Sequence, residues 1–281
     1  MPPKQRLDLH LLDRGLASSR QQAQQWIRAG KVHGPQGVLD KPGQPVETDM
    51  PIRVDQPTRF VSRGGEKLVA ALERFPIRIK GRVCLDGGIS TGGFTDCLLQ
   101  YGAKLIYGID VGYGQTAWSL RTDTRLVLKE RTNLRHLTAD QLYEPTAARA
   151  SLAVADVSFI SLTKVLPALW GLMDHGENAP ASDAVLLIKP QFEVGRTRVG
   201  KGGVVRDPLA HQDAIYKVVA AAAELGWNPQ GLTATPITGP AGNQEYLLWL
   251  QSNKANERIS DSIWHESVIE AEVRRVSSGK E

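Results

Sequence analysis

The chain has 281 residues, 41% of them hydrophobic, two cysteines and a formal net charge of +4. That length can hold two domains, and two cysteines supply no disulfide framework. The charge is uneven: the first 31 residues hold six basic groups against two acids, and the remaining 250 balance at 28 of each. A basic front end on a neutral body points to a polyanionic partner. The most apolar region, 151–172, is broken by Asp156 and Lys164, and the N-terminal stretch is charged within its first apolar segment. Neither a membrane span nor a secretory signal is expected, and a cytoplasmic protein is.

Residues 5–15 carry Leu7, Leu11 and Leu12 at helical spacing, with Gly15 placed to end the helix. Ser18 or Ser19 can cap a second helix to about Ala29, with Ala23, Trp26 and Ile27 on one face. Small β pieces punctuated by Pro and Gly follow, from Lys31 to about Val54. Arg6, Arg14, Arg20, Arg28 and Lys31 surround these elements, which suits phosphate contacts to structured RNA. Residues 1–58 are thus expected to form a small RNA-binding domain, and 59–65 a linker in which Arg59 and Arg63 could touch RNA.

A helix is expected over 66–75, with Lys67 in its first turn, where a cation opposes the helix dipole. Strands then alternate with helices. The apolar run Val83-Cys84-Leu85 ends in Asp86 and leads into the Gly-rich turn Gly87-Gly88-Ile89-Ser90-Thr91-Gly92-Gly93, after which a helix begins at Phe94. Further strands are expected at 105–109, 126–128, 152–156, 184–188, 227–236 and from Glu245. Loops are expected at 130–133 and 175–183, and 194–207 reads as a mobile basic lid bearing Arg196, Arg198 and Lys201. The tail, 251–281, should hold one helix near 263–276. This alternation predicts a mostly parallel α/β sheet with ligands at the carboxyl ends of its strands.

Asp86, Asp110, Asp156 and Lys189 each close a predicted strand. Asp110 lies 24 residues after Asp86, the spacing at which an acid can hold the ribose of a nucleoside. The glycines after Asp86 would let backbone approach a ligand closely. The six histidines are scattered and no His/Cys cluster suggests a metal.

The pattern Arg6-Leu7-Asp8, Arg14-Gly15-Leu16-Ala17-Ser18-Ser19-Arg20, Trp26-Ile27 and Gly30-Lys31-Val32 resembles the S-four (S4) RNA-binding domain. Ser62-Arg-Gly-Gly-Glu-Lys67, Asp86-Gly-Gly-Ile-Ser-Thr-Gly-Gly-Phe-Thr, Gly108-Ile-Asp-Val-Gly, Ala155-Asp-Val-Ser-Phe and Ile188-Lys-Pro-Gln-Phe resemble the TlyA family. That family joins an S-four domain to a methyltransferase domain similar to FtsJ (RrmJ), and many members are called haemolysins.

The resemblance implies a Rossmann-like class I fold over 66–250, S-adenosylmethionine as cofactor, and 2′-O-methylation of ribose, typically of cytidines in ribosomal RNA. It maps a catalytic tetrad onto Lys67, Asp156, Lys189 and Glu245. Asp86, Gly87, Gly88, Ser90, Gly92, Gly93 and Phe94 would wrap the methionine portion of the cofactor. Asp110 would hold its ribose, and Val111, Asn133 and Val157 would meet its base. Lys189 is the candidate base, provided burial and the nearby positive charges favour its neutral form. Ribosomal RNA or ribosomal subunits are the expected partners, and the chain is expected to be a monomer or weak dimer. Three alternatives stand beside this reading: an NAD(P) dehydrogenase, a ribosome-assembly factor with an inert methyltransferase fold, and a membrane-lytic protein.

Overall fold

A computed structural model describes residues 3–55, 59–176, 181–252 and 262–278, the side chains of 262–265 excepted. Residues 56–58 next to the expected linker, 177–180 of the expected loop and 253–261 of the expected tail lie outside the described residues. The chain divides into two units, Met1–Thr58 and Arg59–Glu281.

In the first unit β1 (Lys4–Arg6) runs into α1 (Leu7–Asp13). Then come α2 (Arg20–Arg28), β2 (Val32–Gly34), β3 (Gly37–Val38), β4 (Pro45–Glu47) and β5 (Arg53–Val54). β1 pairs with β4, and β2 with both β3 and β5, all antiparallel. Ser19 caps α2 by accepting from the Gln22 N–H. Leu7, Leu11, Ala23, Ile27 and Val32 form the core, with Trp26 partly buried against it. Leu12, grouped with Leu7 and Leu11 by helical spacing, is exposed. It follows Leu11 by one residue, and about 100° of helical rotation carries it off the buried stripe.

Two polar residues, Asp8 and His10, are buried instead. Asp8 accepts from Arg6 and from Arg20 Nε at 3.0 Å, and from Gln24 Nε2 at 2.8 Å. These bonds, that of Arg6 foremost, hold its carboxyl well below the usual carboxylate range despite the opposing effect of burial. Arg6 and Arg20 are therefore fixed from within, while their side chains stay about half exposed, at 47% and 52%.

The second unit contains α3 (Gly64–Arg74), β6 (Val83–Gly87), α4 (Gly93–Gln100), β7 (Leu105–Ile109), α5 (Trp118–Arg121), β8 (Leu126–Lys129), α6 (Ala139–Leu142), β9 (Leu152–Ala155) and α7 (Leu166–Leu172). It continues through β10 (Asp183–Ile188), α8 (Pro190–Glu193), α9 (Pro208–Glu224), β11 (Trp227–Ala234), β12 (Tyr246–Ser252) and α10 (Ser262–Ser278). Seven strands form one sheet in the order β11-β12-β10-β9-β6-β7-β8. The run from β8 to β10 is parallel, and β12 is antiparallel to both neighbours. β9 and β10 are buried at every position. This explains the apolar runs 152–155 and 184–188, because helices cover a parallel sheet on both faces; the buried Asp183 that opens β10 is paired with Arg82. Strand order reverses beside β6: β7 continues the sheet on one side, and β9, much later in the chain, on the other. A ligand crevice is expected at such a reversal, at the carboxyl ends of the strands.

Residues 59–65, expected to be a linker, pack within this unit. Phe60 is 2% exposed, and the Val61 N–H donates to Asp96 Oδ2 at 2.8 Å. A Cβ on Gly65 would lie 2.2 Å from Phe60 Cγ, so glycine is needed there for the ring to seat. The tail helix α10 buries Ile269 and Val273 in the same core as the sheet. The basic segment 194–207, expected as a free lid, is folded into two short 3-10 turns. Arg198 is tied to Asp207 and Asp213, and Asn243 holds the segment by accepting from the Val205 N–H and donating to Gly203 O.

Phe60→Ala is expected to cost about 3–5 kcal/mol, the range for a buried aromatic, against about 0.5 kcal/mol for a passive linker residue. Urea unfolding monitored by circular dichroism separates the two.

Candidate active site

The sheet register explains why distant residues meet. Gly87 pairs with Ile109 on one side and Ala155 on the other, and Leu186 also pairs with Ala155. Ile188 pairs with Tyr246. The residues just past these pairs, Gly88, Asp110, Asp156, Lys189 and Glu245, therefore share one rim. Glu245, expected as the first residue of its strand, immediately precedes it. Because β12 is antiparallel, its start faces the ends of the other strands.

Lys67 reaches the rim from α3. Its Nζ donates to Glu245 Oε2 at 2.5 Å, and the two residues are 8% and 1% exposed. Lys189 Nζ lies 2.6 Å from Asp156 Oδ1 and donates to Ser158 Oγ at 2.7 Å. The structure thus brings the four tetrad candidates together as two lysine–carboxylate pairs. Buried ions need such partners, since an unpaired charge in a dry interior is far costlier than a paired one.

Two cavities flank these pairs. One, of about 200 Å³, is lined by Ser62, Arg63, Lys67, Gly93, Phe94 and Pro240 among others. The second, of about 470 Å³, is lined by Asp110, Val111, Gln115, Asn133, Val157 and Phe159 among others. Gly88, Ser90 and Asp156 line both. The cofactor candidates Gly88, Ser90, Gly93, Phe94, Asp110, Val111, Asn133 and Val157 are therefore all on cavity walls. Asp86, Gly87 and Gly92 are not. A Cβ on Gly92 would meet the Leu120 side chain at 2.2 Å and one on Gly87 the Leu134 side chain at 2.7 Å. Those glycines make room for the protein's own packing. At Gly88 the φ is +86°, and a Cβ would lie 2.8 Å from the Asp156 carbonyl oxygen. Here glycine lets the turn after β6 touch the backbone after β9.

Asp110 uses both carboxylate oxygens on the turn around it, accepting from the Ser90 N–H and the Gly112 N–H at 2.7 Å each. Each oxygen keeps a second lone pair for a ligand. Asn133 Oδ1 caps the following turn by accepting from the Arg135 N–H. Asp86 is fully buried: Oδ2 accepts from Thr95 Oγ1 at 2.7 Å, and Oδ1 has no hydrogen-bond partner among the described residues. Burial pushes its carboxyl up to about 7, with Asp156 and Asp110 adding to the effect and Thr95 opposing it.

Of the basic candidates, Arg63 lines the smaller cavity and is exposed. Arg59 lies over the rings of Phe60 and Tyr101. Arg14, Arg28, Arg196, Arg198 and Lys201 are exposed, and Lys31 is half-buried. Sequence reasoning missed Ser158 and Phe159. Phe159 is 91% exposed at a left-handed φ of 64°, with its ring 5.2 Å from that of Phe192. A non-glycine residue at positive φ persists only where its surroundings enforce it. The motif Asp156-Val157-Ser158-Phe159 contained both residues, but nothing in its periodicity marked them. Among the described residues no group of three or more His, Cys, Asp or Glu could hold a metal, and no helix is long and apolar enough to cross a membrane.

Residues 60–252 match the model of the FtsJ-like methyltransferases, and 5–52 that of the S4 domain. The chain belongs to the FtsJ-like methyltransferase family. It is 49% identical to the 16S/23S rRNA (cytidine-2′-O)-methyltransferase TlyA of Mycobacterium tuberculosis, over 90% of this chain and 91% of that protein. It is 39% identical to Hemolysin A of Brachyspira hyodysenteriae, over 86% of this chain and 98% of that one. The solved structure of a candidate haemolysin from Streptococcus thermophilus matches with a TM-score of 0.71 and 35% identity, covering 100% of this methyltransferase and 98% of that chain. The sheet of this methyltransferase is the α/β frame expected from the alternation of its elements, with β12 as the antiparallel exception.

The raised Asp86 carboxyl makes stability pH-dependent. An unfolded Asp loses its proton near pH 4, whereas the folded one keeps it to about 7. The contribution is therefore fully present below about pH 4 and is lost as pH rises through about 7, a span worth about 4 kcal/mol. Asp86→Asn is expected to remove this fall. Urea midpoints of both proteins from pH 4 to 8 test it, and a pH-independent difference between them would refute it.

Proposed function

We propose that this protein transfers a methyl group from S-adenosylmethionine to the 2′-hydroxyl of a cytidine in ribosomal RNA. One observation carries the reading: two buried lysines, each paired with a carboxylate, stand beside a nucleoside-sized cavity at the reversal of the sheet. The target is proposed from the 49%-identical relative named for that activity.

The residues present fit the methyl donor. It carries positive charge, and Asp110 and Asp156 stand at the rim on the walls of the larger cavity. Asp110 would hold the ribose, Val111, Asn133 and Val157 the base, and Gly88 and Ser90 the junction between the two cavities. When bound, S-adenosylmethionine supplies an electrophilic methyl group on a cationic sulfur. The chain's part is to hold the attacking hydroxyl in line and to take its proton.

Holding reactants in a fixed geometry removes much of the entropic barrier. Lys67 points into the smaller cavity, where it can hold the target ribose and stabilise the oxygen as it loses its proton. Lys189 is the proton acceptor in this reading. In the neutral form that can act as a base, its two N–H bonds go to Asp156 and Ser158, leaving the Nζ lone pair to take the proton of the substrate hydroxyl. Glu245 balances Lys67. Phe159 offers an exposed aromatic face at the mouth of the larger cavity, suited to an unstacked base.

The S4 unit and the basic groups named above would grip the RNA through its phosphates. Binding should then weaken steeply with salt. The reading places the protein in the cytoplasm, where ribosomal RNA is available.

Tritiated methyl transfer to separated ribosomal subunits, followed by mapping of the modified nucleotide, tests the proposal. Lys189→Ala is expected to lower transfer by about 10²–10⁴-fold, the range for losing a general base, with S-adenosylmethionine binding retained in calorimetry. Full transfer by that variant would remove Lys189 from the mechanism. Absence of transfer by the wild type to any subunit would overturn the activity.

A further inference from the structure

Glu193 ends α8, four residues after Lys189, and takes no part in the chemistry described so far. It is nevertheless 4% exposed. Its Oε2 accepts from Ser161 Oγ at 2.5 Å and its Oε1 accepts from the Leu162 N–H at 2.8 Å. Ser161 in turn caps the turn Leu162–Lys164 by accepting from the Thr163 N–H. The main-chain oxygen of Glu193 accepts from Lys217 Nζ of α9 at 2.7 Å. One carboxylate thus clasps the segment leaving β10 to the segment leaving β9.

Between the clasp and the strand ends lies 156–160, every residue of which lines the larger cavity. That stretch carries Asp156 and Ser158, the partners of Lys189, and Phe159 in its left-handed conformation. Strand pairing anchors it at Ala155 and the Glu193 clasp anchors it at Ser161 and Leu162. Short segments with strained backbone hold their shape only when both ends are fixed.

We propose that Glu193 is a positioning residue for methyl transfer: its carboxylate holds the 156–162 segment so that Ser158 and Asp156 keep Lys189 Nζ aimed at the substrate. This rests on the activity proposed above. The role asks for two oxygen-side contacts at fixed spacing, not for a negative charge. A glutamine offers the same contacts, its Oε1 accepting from Leu162 N–H and its Nε2 donating to Ser161 Oγ.

The experiment measures kcat and KM for methyl transfer at saturating S-adenosylmethionine, per folded site counted by cofactor-binding stoichiometry. The proteins are wild type, Glu193→Ala, Glu193→Gln, Ser158→Ala and the Glu193→Ala/Ser158→Ala double variant. Glu193→Ala is expected to lose at least about tenfold in kcat with KM for RNA little changed, since a misplacement of about 1 Å can cost 10²-fold. Glu193→Gln should stay within about threefold of wild type. The double variant should lose no more than the worse single one, because residues acting through one another are not additive. Wild-type kcat in Glu193→Ala, a Glu193→Gln as impaired as Glu193→Ala, or fully multiplicative losses in the double variant would each overturn the positioning role. A wild type that transfers no methyl group would instead overturn the underlying activity, and the role with it.

Discussion

The second unit is organised by the need to neutralise charge buried at one end of its sheet. Two ammonium groups lie almost out of solvent at that rim, and each requires a carboxylate at hydrogen-bond distance. The Lys67–Glu245 pair joins residues 178 positions apart, fastening α3 to the start of β12. The Lys189–Asp156 pair fastens the exits of two neighbouring parallel strands. Sheet register sets the spacing, and charge pairing selects which side chains stand at the ends. The cavities are the space left between these two fastenings and the turn after β6.

The same logic appears at smaller scale in the first unit. There one buried carboxylate, Asp8, gathers Arg6, Arg20 and Gln24. An inward anion fixes outward cations, so the basic face is held by a hydrogen-bonded node as well as by the apolar core. The basic surface that composition suggested is therefore built, in part, upon an acid. In the second unit Asp86 shows the opposite case: a carboxyl group buried with no cation paired to it among the described residues, whose ionisation the fold resists.

Much of this was legible in the sequence, and for identifiable reasons. β9 and β10 were readable because burial on both faces selects apolar runs, and Asp156 and Lys189 stand out as the charges that directly follow those runs. Glu245 was harder: the rule that functional groups follow a strand fails where the strand runs backwards. The 59–65 stretch looked like a linker because its glycines and arginines resemble surface chain. Only the fold reveals that Gly65 is small to admit Phe60. Asp8 and His10 were invisible, since a buried polar residue is defined by partners scattered along the chain. Ser158 and Phe159 escaped for a related reason, because backbone conformation and exposure leave no periodic trace.

The reversed direction of β12 also sets an order of events. Lys67, Asp156 and Lys189 are all made before Glu245, which follows Lys67 by 178 residues. During synthesis, Lys67 therefore exists for most of the second unit's length without its counter-ion. The helix that carries it has no reason to bury it until β12, the last of the sheet's strands in chain order, has paired. Completion of the rim and completion of the sheet are thus one event, and a chain interrupted before β12 would hold three of the four groups with nothing to bring the first of them into place.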